Sequence, residues 1–335
     1  MAQILDILTI EPNKISTDLT SYNYLIYSIP GLGKTTTAVE MFPKHFILGA
    51  EYGFKGIPGA LGVCIPDYFS LSQYINQLDT DEAREKFDTI IVDTSSKIGS
   101  IIEEYVLSMY GKNFMGDCKN HGGAYPLINR YYDLAFNRLK ARGYNFVYIC
   151  HADVLSITNE EGVELHKYYK PRLTDRIKRL IEPEVDFIFF LTQDKDNNRI
   201  IVTDNTIKNV GKQRTKLPLI VNLKDGVAPL MEELKKGILE KGGEMITDKR
   251  TETTVIQTLE QERDYKEVVA EIKELGAKLA QIDNETAKAA IEITNNGLGT
   301  DNDGAQRKLN DMTQLNYQIL IKILADLKDL EKKVQ

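Results

Sequence analysis

Cysteine is scarce: Cys64, Cys118 and Cys150 are all there is, too few and too odd in number for a disulfide framework, which fits a reducing compartment. Cys118 lies three residues before His121, and Cys150 is next to His151, so a zinc site is conceivable. The four do not form two well-spaced ligand pairs, and plain thiols are the simpler reading. No apolar run reaches the length of a membrane helix, and the N-terminus has no basic region followed by an apolar stretch. A cytoplasmic location with no membrane partner is expected. Excess positive charge is also lacking, with 42 Lys+Arg against 49 Asp+Glu and a net charge of −7, which argues against a uniformly basic nucleic-acid binder. The charge is uneven, however. Residues 111–180 hold 12 basic and 7 acidic residues, a balance of +5, which leaves −12 for the remainder. Contact with a polyanion should therefore be local.

What is present is ordinary globular material, 42% hydrophobic and 27% charged over 335 residues, enough for one large domain and a smaller appendage. Apolar, β-branched or aromatic runs recur at Tyr24 to Tyr27, His45 to Leu48, Thr89 to Val92, Phe146 to Ile149, Phe187 to Leu191, Ile200 to Thr203 and Leu219 to Val221. The first five alternate with amphipathic helical patterns and predict a mostly parallel sheet buried on both faces. The last three lie close together and predict a hairpin or meander at one edge. Residues 1–225 thus read as an α/β domain. Residues 226–335 have no strand-like run and carry 16 basic against 21 acidic residues. There, Tyr265, Val268, Ile272, Leu275, Leu279 and Ile282 follow helical spacing, as do Leu320, Ile323, Leu327, Leu330 and Val334. Two helices joined by a loop containing Asn295 to Gly304 are expected. Each seam is under three heptads, which favours a hairpin packed on itself or on the core over an oligomerisation arm.

One more absence falls in the most informative stretch. "SIPGLGKTTT", Ser28 to Thr37, lacks the first glycine of the phosphate-binding pattern G-x-x-x-x-G-K-[ST]. Its context is intact: an apolar strand precedes it, and Lys34 opens a helix that Pro43 terminates. Backbone N–H groups and a helix dipole converge on an anion in such a turn. Gly31 and Gly33 remain where the main chain must come closest to phosphate, and a small serine can turn off the strand. Ser28, Pro30, Gly31, Leu32, Gly33, Lys34, Thr35 and Thr36 are therefore read as the ATP-binding loop. Lys34 would reach the β- and γ-phosphates and Thr35 would ligate Mg²⁺.

A second metal-holding oxygen is expected at the end of another buried strand, and "FDTIIVDT" supplies Asp93. The residue after it is Thr94, so the glutamate that many motor ATPases place there is missing. Glu51, ending "HFILGAE" on the strand after the loop helix, is the candidate to orient water toward the γ-phosphate. Two stretches suit single-stranded nucleic acid by composition: "GKNFMGDCKNHGGAYP", with Lys112 and Lys119, and "HKYYKPRLTDRIKR", with Lys167, Tyr168, Tyr169, Lys170 and Arg172. Lysines serve phosphate and ring faces serve bases. An amphipathic helix from Leu173 to Ile181 explains Arg176 and Arg179 without DNA.

Taken together, "IYSIPGLGKTT", "TIIVDT", "VYICHAD", "PRLTDRIKRLIEPEVDFIFFLT" and "GKQRTKLPLIV" resemble the RecA-like branch of phosphate-loop ATPases. More closely, they resemble the phage-type nucleotide-binding proteins that act as single-strand annealing or recombination ATPases. The resemblance covers residues 20 to 222; it departs at Ser28 and gives no role to the helical tail. It implies a RecA-like core in which Glu51 is the catalytic base, His151 senses the γ-phosphate, and Lys212 and Arg214 reach the nucleotide of a neighbouring subunit. It also implies a homo-oligomeric ring or filament on single-stranded DNA in the cytoplasm of an infected host, with a single-strand-binding or replication protein as a further partner. Alternatives are a helicase-like motor or loader, and a nucleotide-gated interaction protein with negligible hydrolysis. A small-molecule kinase is disfavoured by the lack of an acceptor motif or an arginine-rich lid.

Overall fold

A computed structural model of the chain describes residues 15–118, 124–244, 265–300, 305–313 and 316–334. They fall into two compact units, residues 1–259 and 260–335. Lys119 and His121 lie outside the described residues.

In the first unit, β1 (Tyr24–Ser28) leads through a tight turn into α1 (Lys34–Met41), and β2 (His45–Gly49) and the short β3 (Gly62–Cys64) follow. Helices α2 (Tyr68–Leu78) and α3 (Asp81–Lys86) precede β4 (Thr89–Asp93); α4 (Ser95–Met109) and α5 (Ala124–Ala141) precede β5 (Asn145–Thr158). Then come β6 (Glu164–Pro171), α6 (Asp175–Ile181), β7 (Phe187–Gln193), β8 (Arg199–Val202), β9 (Ile220–Asn222) and α7 (Ala228–Glu240). The sheet runs β3-β2-β4-β5-β1-β7-β8-β9, with β6 attached to β5 off that path. Strands β1 to β5 and β7 run parallel to one another, whereas β6 pairs antiparallel with β5 and β8 and β9 close one edge as an antiparallel meander. This is the expected α/β class, a mostly parallel sheet flanked by helices and followed by α-helical segments.

Why the strands read as continuous apolar runs is visible in β1. Leu25 and Tyr27 enter one core with Leu71, Ile98, Ile128 and Ile177, while Tyr24 and Ile26 enter the other with Ala38, Leu230 and Leu234. Both faces are covered, so alternation has no polar side to show. Helix α7 contributes Leu230, Leu234 and Ile238 to that second core, which carries the α/β unit beyond the compositional boundary at residue 225.

The second unit has its own core. Helix α8 (Tyr265–Ala280) supplies Val268, Ile272, Leu275 and Leu279, and α10 (Tyr317–Val334) supplies Leu320, Ile323, Leu324 and Leu327. Between them stands α9 (Asn284–Leu298), a third helix where the sequence suggested a connection. The Asp283 carboxylate starts it by accepting from the backbone N–H groups of Glu285 and Thr286. Its apolar stripe is thin, Ala290 and Leu298, and so gave little periodicity. Part of the predicted loop, residues 301–304, lies outside the described residues.

Candidate nucleotide site and basic ribbon

β1 brings the chain to the carboxyl edge of the sheet at Ser28, whose side chain is fully buried. Gly31 and Gly33 then take φ of +84° and +85°, where a Cβ is strained. Gly33 caps α1 without a side-chain hydrogen bond, so the first N–H groups of the helix face the turn free of a protein cap. Pro30 is exposed, and Leu32 and Thr36 are half-buried in and just after this turn. The Lys34 ammonium folds back and donates to Ser28 Oγ at 3.2 Å and to the Ile29 carbonyl at 3.3 Å. Ser28 in turn donates to that carbonyl at 2.7 Å. The residue that breaks the glycine pattern is thus a hydrogen-bond partner of the loop lysine. Burial pushes the Lys34 ammonium below its ordinary range, and the nearby Asp93 opposes that shift.

Asp93 ends β4 one strand removed from β1, and its Oδ2 accepts from Thr35 Oγ1 at 2.7 Å. Burial raises the carboxyl above the usual carboxylate range; the Thr35 hydrogen bond pulls it back, Glu51 pushes it further up, and Lys34 lowers it. A hydroxyl and a carboxylate this close suit Mg²⁺, which takes one or two protein oxygens and fills its shell with water and phosphate. Among the described residues no group of three or more His, Cys, Asp or Glu could hold a metal alone. An ion here would share its coordination with phosphate.

Glu51 lies two residues beyond β2, with Oε2 3.5 Å from His151 Nε2 and Oε1 3.4 Å from Lys97 Nζ on α4. His151 stands beside Ser28 in the β1–β5 register, and its buried Nδ1 has no hydrogen-bond partner. Ser28, Lys34, Thr35, Asp93, Glu51 and His151, drawn from β1, α1, β4, β5 and the turn after β2, thus meet at one edge. Lys97 belongs to this group too, and sequence reasoning missed it. Its only signal was a position four residues after Asp93, on the first turn of a helix leaving the same edge.

Lys212 and Arg214 are elsewhere. Lys212 pairs with Ile188, which is level with Leu25, about 13 Å down the strand from the loop. Its ammonium donates to the carbonyls of Glu182 and Val185 at 2.9 and 2.6 Å, closing the C-terminal end of α6. Arg214 holds Asp186 at 2.6 Å and is half-exposed. Neither reaches the nucleotide edge of its own chain.

The stretch expected to be a DNA loop is a strand. β5 continues past His151 and pairs with β6 in an antiparallel ribbon from Ala152–Pro171 outward, irregular at Ile157/Thr158. Tyr168 and Lys170 therefore share one face, and Lys167 and Tyr169 the other. Tyr169 is structural: it stacks on Phe190 with ring centroids 4.9 Å apart, and its backbone bonds to Lys208 and Val210. Arg172 pairs with Asp153 at 2.7 Å. Lys167 is exposed and Tyr168 and Lys170 are half-exposed, so these three are the accessible part of the set. Lys112 is exposed beyond the end of α4.

A family model described as an AAA domain matches residues 20–215. No curated protein matches the chain. Among solved structures, the crystal structure of the RadB recombinase is similar at 12% identity, covering 56% of this chain and 83% of that one with a TM-score of 0.33.

Proposed function

The chain belongs to the AAA domain family, and from that premise we propose that it is a Mg²⁺-dependent ATPase acting on single-stranded DNA in recombination or annealing. The observation that carries the nucleotide half is the 2.7 Å contact between Thr35 Oγ1 and Asp93 Oδ2, beside a lysine held in the loop by Ser28. Lys34 exchanges Ser28 Oγ and the Ile29 carbonyl for phosphate oxygens. Thr35 and Asp93 would hold the metal, which when bound would neutralise charge on the β- and γ-phosphates. Glu51 orients the attacking water, and its carboxylate is itself steadied by His151 and Lys97.

The DNA half rests on the ribbon. Lys170 and Tyr168 supply a cation and a ring face on one side of the ribbon and Lys167 a cation on its other side, paired to the strand that continues from the nucleotide edge. A homo-oligomer fits the same reading, with Arg214 exchanging Asp186 for the nucleotide of a neighbour. Lys212 has no part in it, since its ammonium is spent on α6. Turnover of ATP measured with and without single-stranded DNA tests the proposal. Stimulation in the wild type, loss in Lys34→Ala, and binding whose salt slope falls by up to about 1.4 in a Lys167→Ala/Lys170→Ala double variant are expected. Turnover equal in wild type and folded Lys34→Ala removes the nucleotide reading; an unchanged salt slope removes the ribbon.

A further inference from the structure

Arg199 opens β8, the first antiparallel strand beyond β7, and it follows a tight turn fixed by Asp194, whose carboxylate accepts from the N–H groups of Asp196 and Asn198. Because β7 is parallel to β1, this turn sits at the same edge as the phosphate loop. The Arg199 guanidinium crosses back to the loop. A Cβ placed on Gly33 would lie 2.8 Å from Arg199 Nη1 and 4.0 Å from its Cζ. Gly33 is the residue immediately before Lys34, at the mouth of α1. Among the described residues no carboxylate or carbonyl takes up this guanidinium, although it is only half-exposed. A fork of N–H donors without an acceptor, held against the uncapped start of α1, calls for an anion with several oxygens.

The sheet order says which part of that anion. Glu51, Asp93 and His151 come from β2, β4 and β5 on one side of β1, whereas Arg199 comes from β8 on the other. The reacting end of a triphosphate belongs beside Glu51 and Asp93. The opposite flank is left for the phosphates that are not transferred.

We propose that Arg199 is a binding residue for the α- and β-phosphates of the nucleotide, supplied within the same subunit, on the strength of its guanidinium lying against Gly33 without a partner on the flank away from Glu51 and Asp93. This rests on the nucleotide reading above. It also gives Gly33 a second reason to lack a side chain: besides its positive φ, a methyl group there would displace the arginine.

Calorimetric titration of the full chain with Mg·ADP and with Mg and a non-hydrolysable ATP analogue tests it. Arg199→Ala should weaken both ligands by a similar factor, on the order of 10- to 100-fold, as expected for loss of a charge-assisted hydrogen-bonded contact. Arg199→Lys, which keeps the charge without the fork, should recover part of that loss. Thermal unfolding without ligand should be unchanged in Arg199→Ala, because the guanidinium has no protein partner to lose. Three results overturn the proposal: equal affinities in wild type and Arg199→Ala, a loss confined to the ATP analogue, which would move Arg199 to the γ-phosphate, or a drop in unliganded stability matching the loss in affinity. A wild-type chain that binds neither ligand overturns the nucleotide reading itself, whereas wild-type binding that Arg199→Ala leaves intact overturns only the role of Arg199.

Discussion

Replacing Ser28 with Ala should loosen the unliganded protein and tighten its hold on ATP. Ser28 Oγ accepts from the Lys34 ammonium at 3.2 Å, and the lysine is only 7% exposed. Without the hydroxyl, that buried cation keeps the Ile29 carbonyl at 3.3 Å as its remaining acceptor. A hydrogen bond to a charged group contributes about 1.5–3 kcal/mol. For a unit of residues 1–259, each kcal/mol moves the transition by about 2–4 °C, so the unliganded midpoint should fall by about 3–12 °C. On the proposed function, Lys34 would be on phosphate with nucleotide in place, and the missing hydroxyl would no longer matter. The loss then belongs to the unliganded state alone, and linkage turns it into a gain in ATP affinity of on the order of 10- to 100-fold. Thermal unfolding with and without a saturating ATP analogue measures both sides: variant and wild type should differ without ligand and converge with it. An unliganded midpoint equal to that of wild type, or a drop of the same size in both conditions, would refute the argument. Ser28→Gly, which restores the usual glycine, should add about 0.5–1 kcal/mol of backbone loosening in both conditions.

Two further outcomes are expected. Glu51→Gln should still bind ATP, because the amide is nearly isosteric, yet turn it over about 10²- to 10⁴-fold more slowly in a single-turnover assay, since an amide cannot act as a base; loss of binding instead would make Glu51 a structural residue. Burial pushes the Cys150 thiol up to about 12, which leaves about one part in ten thousand as thiolate at pH 8, so in alkylation followed by mass spectrometry Cys64 should be labelled well before Cys150. Equal labelling rates in the folded protein would show that β5 opens at its centre.

The elements legible in the sequence were those that bury two faces. β1, β2, β4 and β7 were found within a residue or two, since a short apolar run set between amphipathic helices fits little besides a strand covered on both sides. The loop was readable for a different reason: its glycines and lysine are required by backbone geometry and charge, and both are written in residue type. β6 was not readable. Its partner is the outer half of β5, and of Glu164 to Lys170 only Tyr169 packs on the core, so no apolar face shows in the sequence. β3, three half-buried residues, was too short to register. Within the site, Glu51 and Asp93 were found as carboxylates ending strands, whereas Lys97 and Arg199 come near the nucleotide edge through helix direction and a hairpin turn. Nothing in their local sequence distinguishes them from solvated cations. Lys212 shows the converse, a basic residue in a suggestive pattern that closes a helix end.

β5 is continuous from the middle of the sheet to the tip of the ribbon. The strand that holds His151 beside Ser28 runs seven more residues to Thr158, a span of about 23 Å. Near its root it is braced by the Tyr169–Phe190 stack and the Arg172–Asp153 pair. Its length sets the scale of any tilt at the sheet edge. A tilt of about 5° imposed at His151 would sweep the tip through about 2 Å. Shortening the ribbon would shorten that reach in proportion, by about 3.3 Å for each residue removed from the strand.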